Sequence, residues 1–170
     1  RVTKSMLPMI MKSKGRIINI SSVAGRTAKP GMNAYNASKW AVEGLTESLN
    51  LELHPFGVKA VLVEPGPYPT KVIKENLAFA EKSDDSNSPF FESTERMKRL
   101  YKQLTAGLRS NPEDVSRIIY KAATVKKPRL RYLIGPPSAK IRVFFRSVLP
   151  FGLYRKAVTR VVFGKSKPKG

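Results

Sequence analysis

Cysteine is absent from the 170 residues, which excludes a disulfide scaffold and a cysteine-rich metal site. A single histidine, His54, excludes a multi-histidine metal centre, and no metal is expected. No apolar run approaches the roughly 18 residues that a spanning helix needs, and no leader pattern stands out, so the expectation is a cytoplasmic protein, soluble or peripherally attached to a membrane. Glycine is sparse where nucleotide binding would need it: no G-x-G-x-x-G occurs anywhere in the chain. Acid is the last scarcity. Residues 96–170 hold 20 basic residues and two acidic ones, Glu113 and Asp114, whereas residues 1–95 hold 12 basic and 10 acidic.

That asymmetry, within a net charge of +20, raises an anionic membrane or a nucleic acid as partner of the C-terminal half. Nucleic acid is disfavoured, because no recognition motif is present and the aromatic residues form no stacking platform. A solvated basic face is the plainer alternative.

The length and a hydrophobic content of 41% suit one domain with a real core. In order, the chain reads as a helix over 1–14, a strand over 16–21, and a loop over 23–33 broken by Gly25, Pro30 and Gly31. A long helix follows over 34–54, its apolar stripe drawn from Ala41, Leu45, Leu49 and Leu53. Val58–Val63 is the next strand, so strand, helix and strand form a parallel crossover. The near-continuous apolar strands suit a sheet covered on both faces.

Residues 71–81 read as helix, 82–89 as a polar mobile connector, and 90–108 as a helix carrying Phe90, Phe91, Met97, Leu100, Tyr101 and Leu104. Asn111 and Pro112 fit the start of a helix reaching about residue 123. A short last strand over 130–134 precedes one or two basic helices over 138–164 and a disordered basic tail at 165–170. The domain expectation is a catalytic part over 1–135, a basic helical extension over 136–164, and the tail.

Chemistry concentrates between Ser22 and Lys39. Tyr35 and Lys39 are four residues apart, one turn on one helix face. A free tyrosine titrates near pH 10, and an ammonium beside it favours the phenolate, so the pair can act as a tuned acid and base. Ser22, thirteen residues before Tyr35, ends the strand and can offer a hydroxyl to the same substrate oxygen. Pro65-Gly66 ends the following strand, and ligands in open α/β sheets bind outside such strand ends.

Ser22, Tyr35-x-x-x-Lys39 and Pro65-Gly66, in this order and spacing, resemble the short-chain dehydrogenase/reductase family. The run Tyr35 to Gly44 is most similar to its hydroxysteroid- and retinol-dehydrogenase-like branch. The resemblance implies the C-terminal part of a Rossmann-type, doubly wound parallel α/β sheet with helices on both faces. It implies hydride transfer between NAD or NADP and an alcohol/carbonyl substrate. Tyr35 would exchange the proton, Lys39 would lower the tyrosine pKa and bind the nicotinamide ribose, and Ser22 would position the substrate oxygen. Pro65, Gly66, Tyr68 and Thr70 would border the cofactor. Tyr68 stands where the family has a smaller aliphatic residue, between stiffening Pro67 and Pro69.

The helix at 90–108 would be a lid over an apolar substrate, steroid-, retinoid- or lipid-like. A homodimer or homotetramer would form through the helices at 1–14 and 34–54. Because Arg1 is not an initiator Met and the glycine-rich turn is missing, the chain is expected to be the C-terminal part of a longer one, inactive by itself. A non-catalytic relative with only the fold is the remaining reading, and the intact Ser22, Tyr35 and Lys39 argue against it.

Overall fold

The structure, a computed structural model, describes residues 1–70, 81–108 and 110–164. The helix expected over 71–81 lies outside the described residues except at its last position, as does the whole of the tail at 165–170.

Three parallel strands form the centre: β1 (Arg16–Ile20), β2 (Lys59–Pro65) and β3 (Arg131–Ile134), in that spatial order. Ile17 pairs with Ala60, and Leu62 with Arg131. On one face lie α1 (Val2–Lys12) and α2 (Asn33–Glu52), on the other α4 (Glu113–Thr124). Two C-terminal helices follow, α5 (Pro137–Val148) and α6 (Phe151–Phe163). The helix α3 (Phe91–Ala106) packs against α6.

Alternation of side chains along β2 sorts the two faces. Ala60 joins Ile17, Leu53 and Val58 in a core that Leu7, Ile10 and Met11 of α1 cover. Val58, Leu62 and Val63 are fully enclosed. Arg16 points to the opposite face, where its guanidinium donates to the carbonyls of Ala122 and Val125, 2.6 Å each, and so closes the C-terminus of α4. β2 is therefore the buried central strand that a parallel sheet requires.

One expectation needs correction: α2 does not bury its aliphatic stripe. Leu45 is 57% exposed and Ala41 is exposed too, while Asn36, Glu43 and Thr46 are the buried residues of α2. The inward face works by hydrogen bonding: Thr46 Oγ1 accepts from Asn19 of β1 at 2.8 Å, and Asn50 donates to the Ala60 carbonyl at 2.7 Å. Leu49 and Leu53, near the helix end, reach the apolar core. Helices lie on both faces of the sheet, as expected, and along the outer strand β1 Ile18 is half-buried and Ile20 exposed.

Smaller differences follow from local chemistry. The long helix ends at Glu52, and a 3-10 turn over His54–Phe56 carries the chain to Gly57, whose φ of 75° suits glycine and reverses direction into β2. The polar connector contains a 3-10 turn at Glu81–Asp84, and Asp85 Oδ1 accepts from the Asn87 amide at 2.9 Å. Asp84 also pairs with Lys98, so part of this segment is tied to α3.

Candidate active site

The C-terminal ends of β1 and β2 lie side by side, and the chain leaves each in a loop. After β1, Ser22 caps a 3-10 turn over Val23–Gly25, its Oγ accepting from the Ala24 amide at 3.2 Å. The same Oγ donates to the Pro65 carbonyl at 3.3 Å. Ser22 is thus fixed between two strand ends and is buried.

Tyr35 and Lys39 share the first turns of α2, as their spacing required. Lys39 Nζ sits 5.8 Å from the centre of the Tyr35 ring and donates to the Ile20 carbonyl at 3.1 Å. Its own carbonyl accepts a long bond, 3.5 Å, from Ser21 Oγ. Trp40 Nε1 donates to the Ala24 carbonyl at 2.9 Å, and Asn36 Nδ2 to the Lys29 carbonyl at 2.9 Å. These bonds lock the start of α2 onto the Ser22 loop. Gly25 sits at the contact, where a methyl group would meet Ser21 Oγ at 2.8 Å and the Lys39 carbonyl at 3.0 Å. Tyr35 is 41% exposed, so its phenol is open to a ligand.

The Pro65–Thr70 loop reaches the same edge. The Gly66 amide donates to the Ile134 carbonyl at 2.6 Å, and a methyl group on Gly135 would lie 3.0 Å from Gly66 Cα. Two glycines here let the ends of β2 and β3 approach. Tyr68 is buried and lines a separate cleft of about 330 Å³ with Asp114, Ile118, Ile134 and Lys140. Burial and the Asp114 carboxylate push its phenol pKa up. Thr70 is exposed, its amide donating to the Tyr68 carbonyl at 2.8 Å. The structure thus gathers Ser22, Lys39, Tyr35, Pro65 and Gly66 along one edge, while the Tyr68 ring turns into a neighbouring cleft.

Of the aromatic and apolar residues expected on the helix at 90–108, two come near this edge. Tyr101 of α3 lies within electrostatic reach of Tyr35, and its own phenol pKa is raised by burial and by that neighbour. Met97, one turn earlier, faces Gly31 in the loop before α2, its Sδ 3.2 Å from where a Cβ would stand. α3 therefore approaches the Tyr35 loop.

Sequence reasoning missed one group, and it is ionic. Glu64 of β2 is 1% exposed, and Glu43 of α2 is buried beside it. Arg131 of β3 reaches Glu43, Glu47 and Glu64, each at 3.2 Å, and Arg26 approaches Glu64 at 3.5 Å. Glu64 Oε1 is close enough for an ion pair with Arg131, yet neither Glu64 oxygen accepts an aligned hydrogen bond. Burial, then the charge of Glu43, pushes the Glu64 pKa up to about 7 against the pull of the two arginines. Nothing in the sequence pattern marks a glutamate one residue before Pro65 as part of such a network.

A nicotinamide dinucleotide is the cofactor implied for this site. The residues present fit its nicotinamide end: Lys39 has donors to spare beyond the Ile20 carbonyl, and the Gly66 loop sits at the strand edge where backbone can approach a ring. No glycine-rich turn for its pyrophosphate lies within these residues.

Comparison with known proteins agrees with this architecture. The short chain dehydrogenase family matches residues 1–80. The oxidoreductase YusZ of Bacillus subtilis is 35% identical over 95% of this chain and 58% of its own length. A short-chain dehydrogenase structure from Streptomyces avermitilis superposes with a TM-score of 0.68 at 28% identity, over 97% of this chain and 58% of that one. One from Mycobacterium paratuberculosis, bound to NAD, gives 0.58 at 27% identity, over 81% and 51%. The chain thus spans somewhat more than half the length of these proteins. With its parallel sheet, its Ser22 loop and its Tyr35 helix, this chain belongs to the short-chain dehydrogenase/reductase family.

Proposed function

We propose that the intact protein is an NAD(P)-dependent oxidoreductase that interconverts an alcohol and a carbonyl on an apolar substrate. The observation that carries the reading is the convergence of an open Tyr35 phenol, the Lys39 ammonium and a fixed Ser22 hydroxyl on one strand edge. When bound, the dinucleotide supplies or accepts the hydride at the carbonyl carbon. Tyr35 gives a proton to the carbonyl oxygen in reduction and takes it back in oxidation. Lys39 places a positive charge 5.8 Å from the centre of that ring. Ser22, held by the Ala24 amide and the Pro65 carbonyl, positions the substrate oxygen.

Met97 and Tyr101 close the site from the lid side with largely apolar surface, which suits a steroid-, retinoid- or lipid-like substrate. The test is oxidation of NADH and of NADPH by the intact protein against steroid, retinal and long-chain ketones. Turnover with at least one apolar ketone and none with small polar ones is expected. Turnover confined to small polar ketones would remove the apolar assignment.

Self-association belongs to the same reading. The outward faces of α1 and α2 leave Val2, Met6, Met9, Leu45 and Leu51 exposed. These exposed apolar side chains suit a contact between copies, and we place the homo-oligomer contact there. Leu45→Glu with Leu51→Glu is expected to at least halve the mass seen by analytical ultracentrifugation. An unchanged mass would put the contact elsewhere.

A further inference from the structure

The two C-terminal helices carry an apolar face that the rest of the molecule does not use. On α5, Ala139 and Val143 turn inward and pack on Val23, with Leu133 against them. Ile141, Phe144, Phe145 and Val148 follow the i, i+3, i+4, i+7 spacing on the opposite side of the helix. All four are exposed, Phe144 by 61%. The stripe continues into α6, where Phe151 and Leu153 are exposed just after the Pro150 bend. The rings of Phe144 and Phe145 meet edge to face, 5.7 Å between centres.

Charge decides what this face can meet. From Val115 to Gly170 the chain holds fifteen basic residues and no acidic one. Lys140, Arg155, Lys156 and Arg160 are exposed beside the stripe, and the Arg146 guanidinium stacks 5.4 Å over Phe151. A second copy set symmetrically against this face would oppose cation to cation along the stripe, since Asp114, in one cleft with Lys140, and Glu43 and Glu47, in one cleft with Arg146, belong to other elements. An anionic bilayer surface supplies what the face lacks, negative headgroups over an apolar layer. Among the described residues no helix is long and apolar enough to cross a membrane, so the helices would lie in the interface plane.

We infer that the α5–α6 face docks on anionic lipid, with Ile141, Phe144, Phe145, Val148, Phe151 and Leu153 entering the headgroup boundary. The face is also mechanically joined to the lid. α6 packs against α3, and Gly164 at its end lies so close to Arg96 that an added Cβ would be 2.9 Å from Nη2. α3 in turn carries Met97 to Gly31, in the loop before α2, and Tyr101 within electrostatic reach of Tyr35. Docking therefore holds the lid side of the site at the interface where an apolar ketone partitions. This consequence rests on the proposed enzyme activity; the docking itself does not.

The experiment is flotation of the intact protein with phosphatidylcholine vesicles, with and without phosphatidylserine. Parent protein is expected to float only with phosphatidylserine present, and less as salt is raised. Phe144→Ser, Phe145→Ser and Val148→Ser combined should weaken flotation by roughly tenfold or more, since each removes apolar surface that would leave water. These side chains are exposed, so an unchanged melting temperature and unchanged turnover of an apolar ketone in the absence of vesicles are expected. Lys140→Gln, Arg155→Gln, Lys156→Gln and Arg160→Gln combined should weaken flotation as well. The proposal is overturned if the parent stays out of the vesicle fraction, or if the serine variant floats as the parent does. It is also overturned if that variant lowers the protein's mass in solution while flotation persists, because the face would then be a contact between copies.

Discussion

Tyr35→Phe in the intact protein is expected to lower kcat by about 100- to 10,000-fold, the usual contribution of a positioned proton donor. Affinity for NADH or NADPH is expected to stay within a few-fold of the parent, because the ring that packs near Lys39 is kept. Lys39 retains its bond to the Ile20 carbonyl, and Ser22 retains its bond to Pro65, so the rest of the site is undisturbed. Stopped-flow hydride transfer and a separate fluorescence titration of the dinucleotide measure the two quantities. Tyr101 makes the experiment sharper. It is a second phenol at the same entrance, and Tyr101→Phe is expected to leave kcat near parental while changing KM for apolar substrates. If Tyr35→Phe keeps its turnover and Tyr101→Phe loses it, the proton comes from the lid and the assignment is wrong.

The largest structural effect is expected at Arg131. This side chain links β3 to α2 and to the C-terminal end of β2 through three carboxylates, each 3.2 Å away. Arg131→Leu leaves Glu43 and Glu64 buried together, with Arg26 at 3.5 Å as the remaining cation. Breaking one side of a buried ion pair costs about 3–5 kcal/mol. The arginine is itself partly exposed, so the lower end, about 3 kcal/mol, is expected at pH 8, or roughly 10 °C in Tm.

The pH dependence gives an independent check. Glu64 has its folded pKa raised to about 7, above the 4.5 of the unfolded chain. Between those values the folded protein holds a proton that the unfolded chain has lost. The contribution of Glu64 to stability is therefore present in full below pH 4.5 and is lost as pH rises through about 7. The penalty of Arg131→Leu should accordingly shrink at pH 5. Glu64→Gln should flatten the stability profile between pH 5 and 8, and the double variant should recover much of what Arg131→Leu alone loses. Chemical denaturation at the two pH values measures this. An equal loss from Arg131→Leu at both would mean that Glu64 does not titrate in that window.

Several parts of this picture were present in the amino-acid order alone. The crossover of strand, helix and strand follows from apolar runs separated by Gly31, Pro55 and Gly57. The Tyr35–Lys39 pairing follows from helical spacing, and the placement of Ser22 and Gly66 at strand ends follows from where apolar runs stop. These are local properties, set by residues within a turn or two of one another. The basic, acid-free C-terminal third was equally plain, because charge count needs no coordinates.

Other features required the chain to be folded. The stripe Ala41 and Leu45 looked like core, yet α2 turns Asn36, Glu43 and Thr46 inward, because hydrogen bonds to β1 and the Arg131 ion pair reward that orientation. Periodicity shows that a helix has an apolar side, not which neighbour that side will meet. The Glu43–Glu64–Arg131 network joins residues up to 88 positions apart, and the approach of Met97 and Tyr101 to the Tyr35 entrance spans more than sixty. Contacts of that separation leave no spacing rule behind them. The sequence by itself determined the strands, the spacing of Tyr35 and Lys39 and the charge. Tertiary packing decided which faces were buried, which carboxylates shared an arginine, and which helix approached the loop before Tyr35.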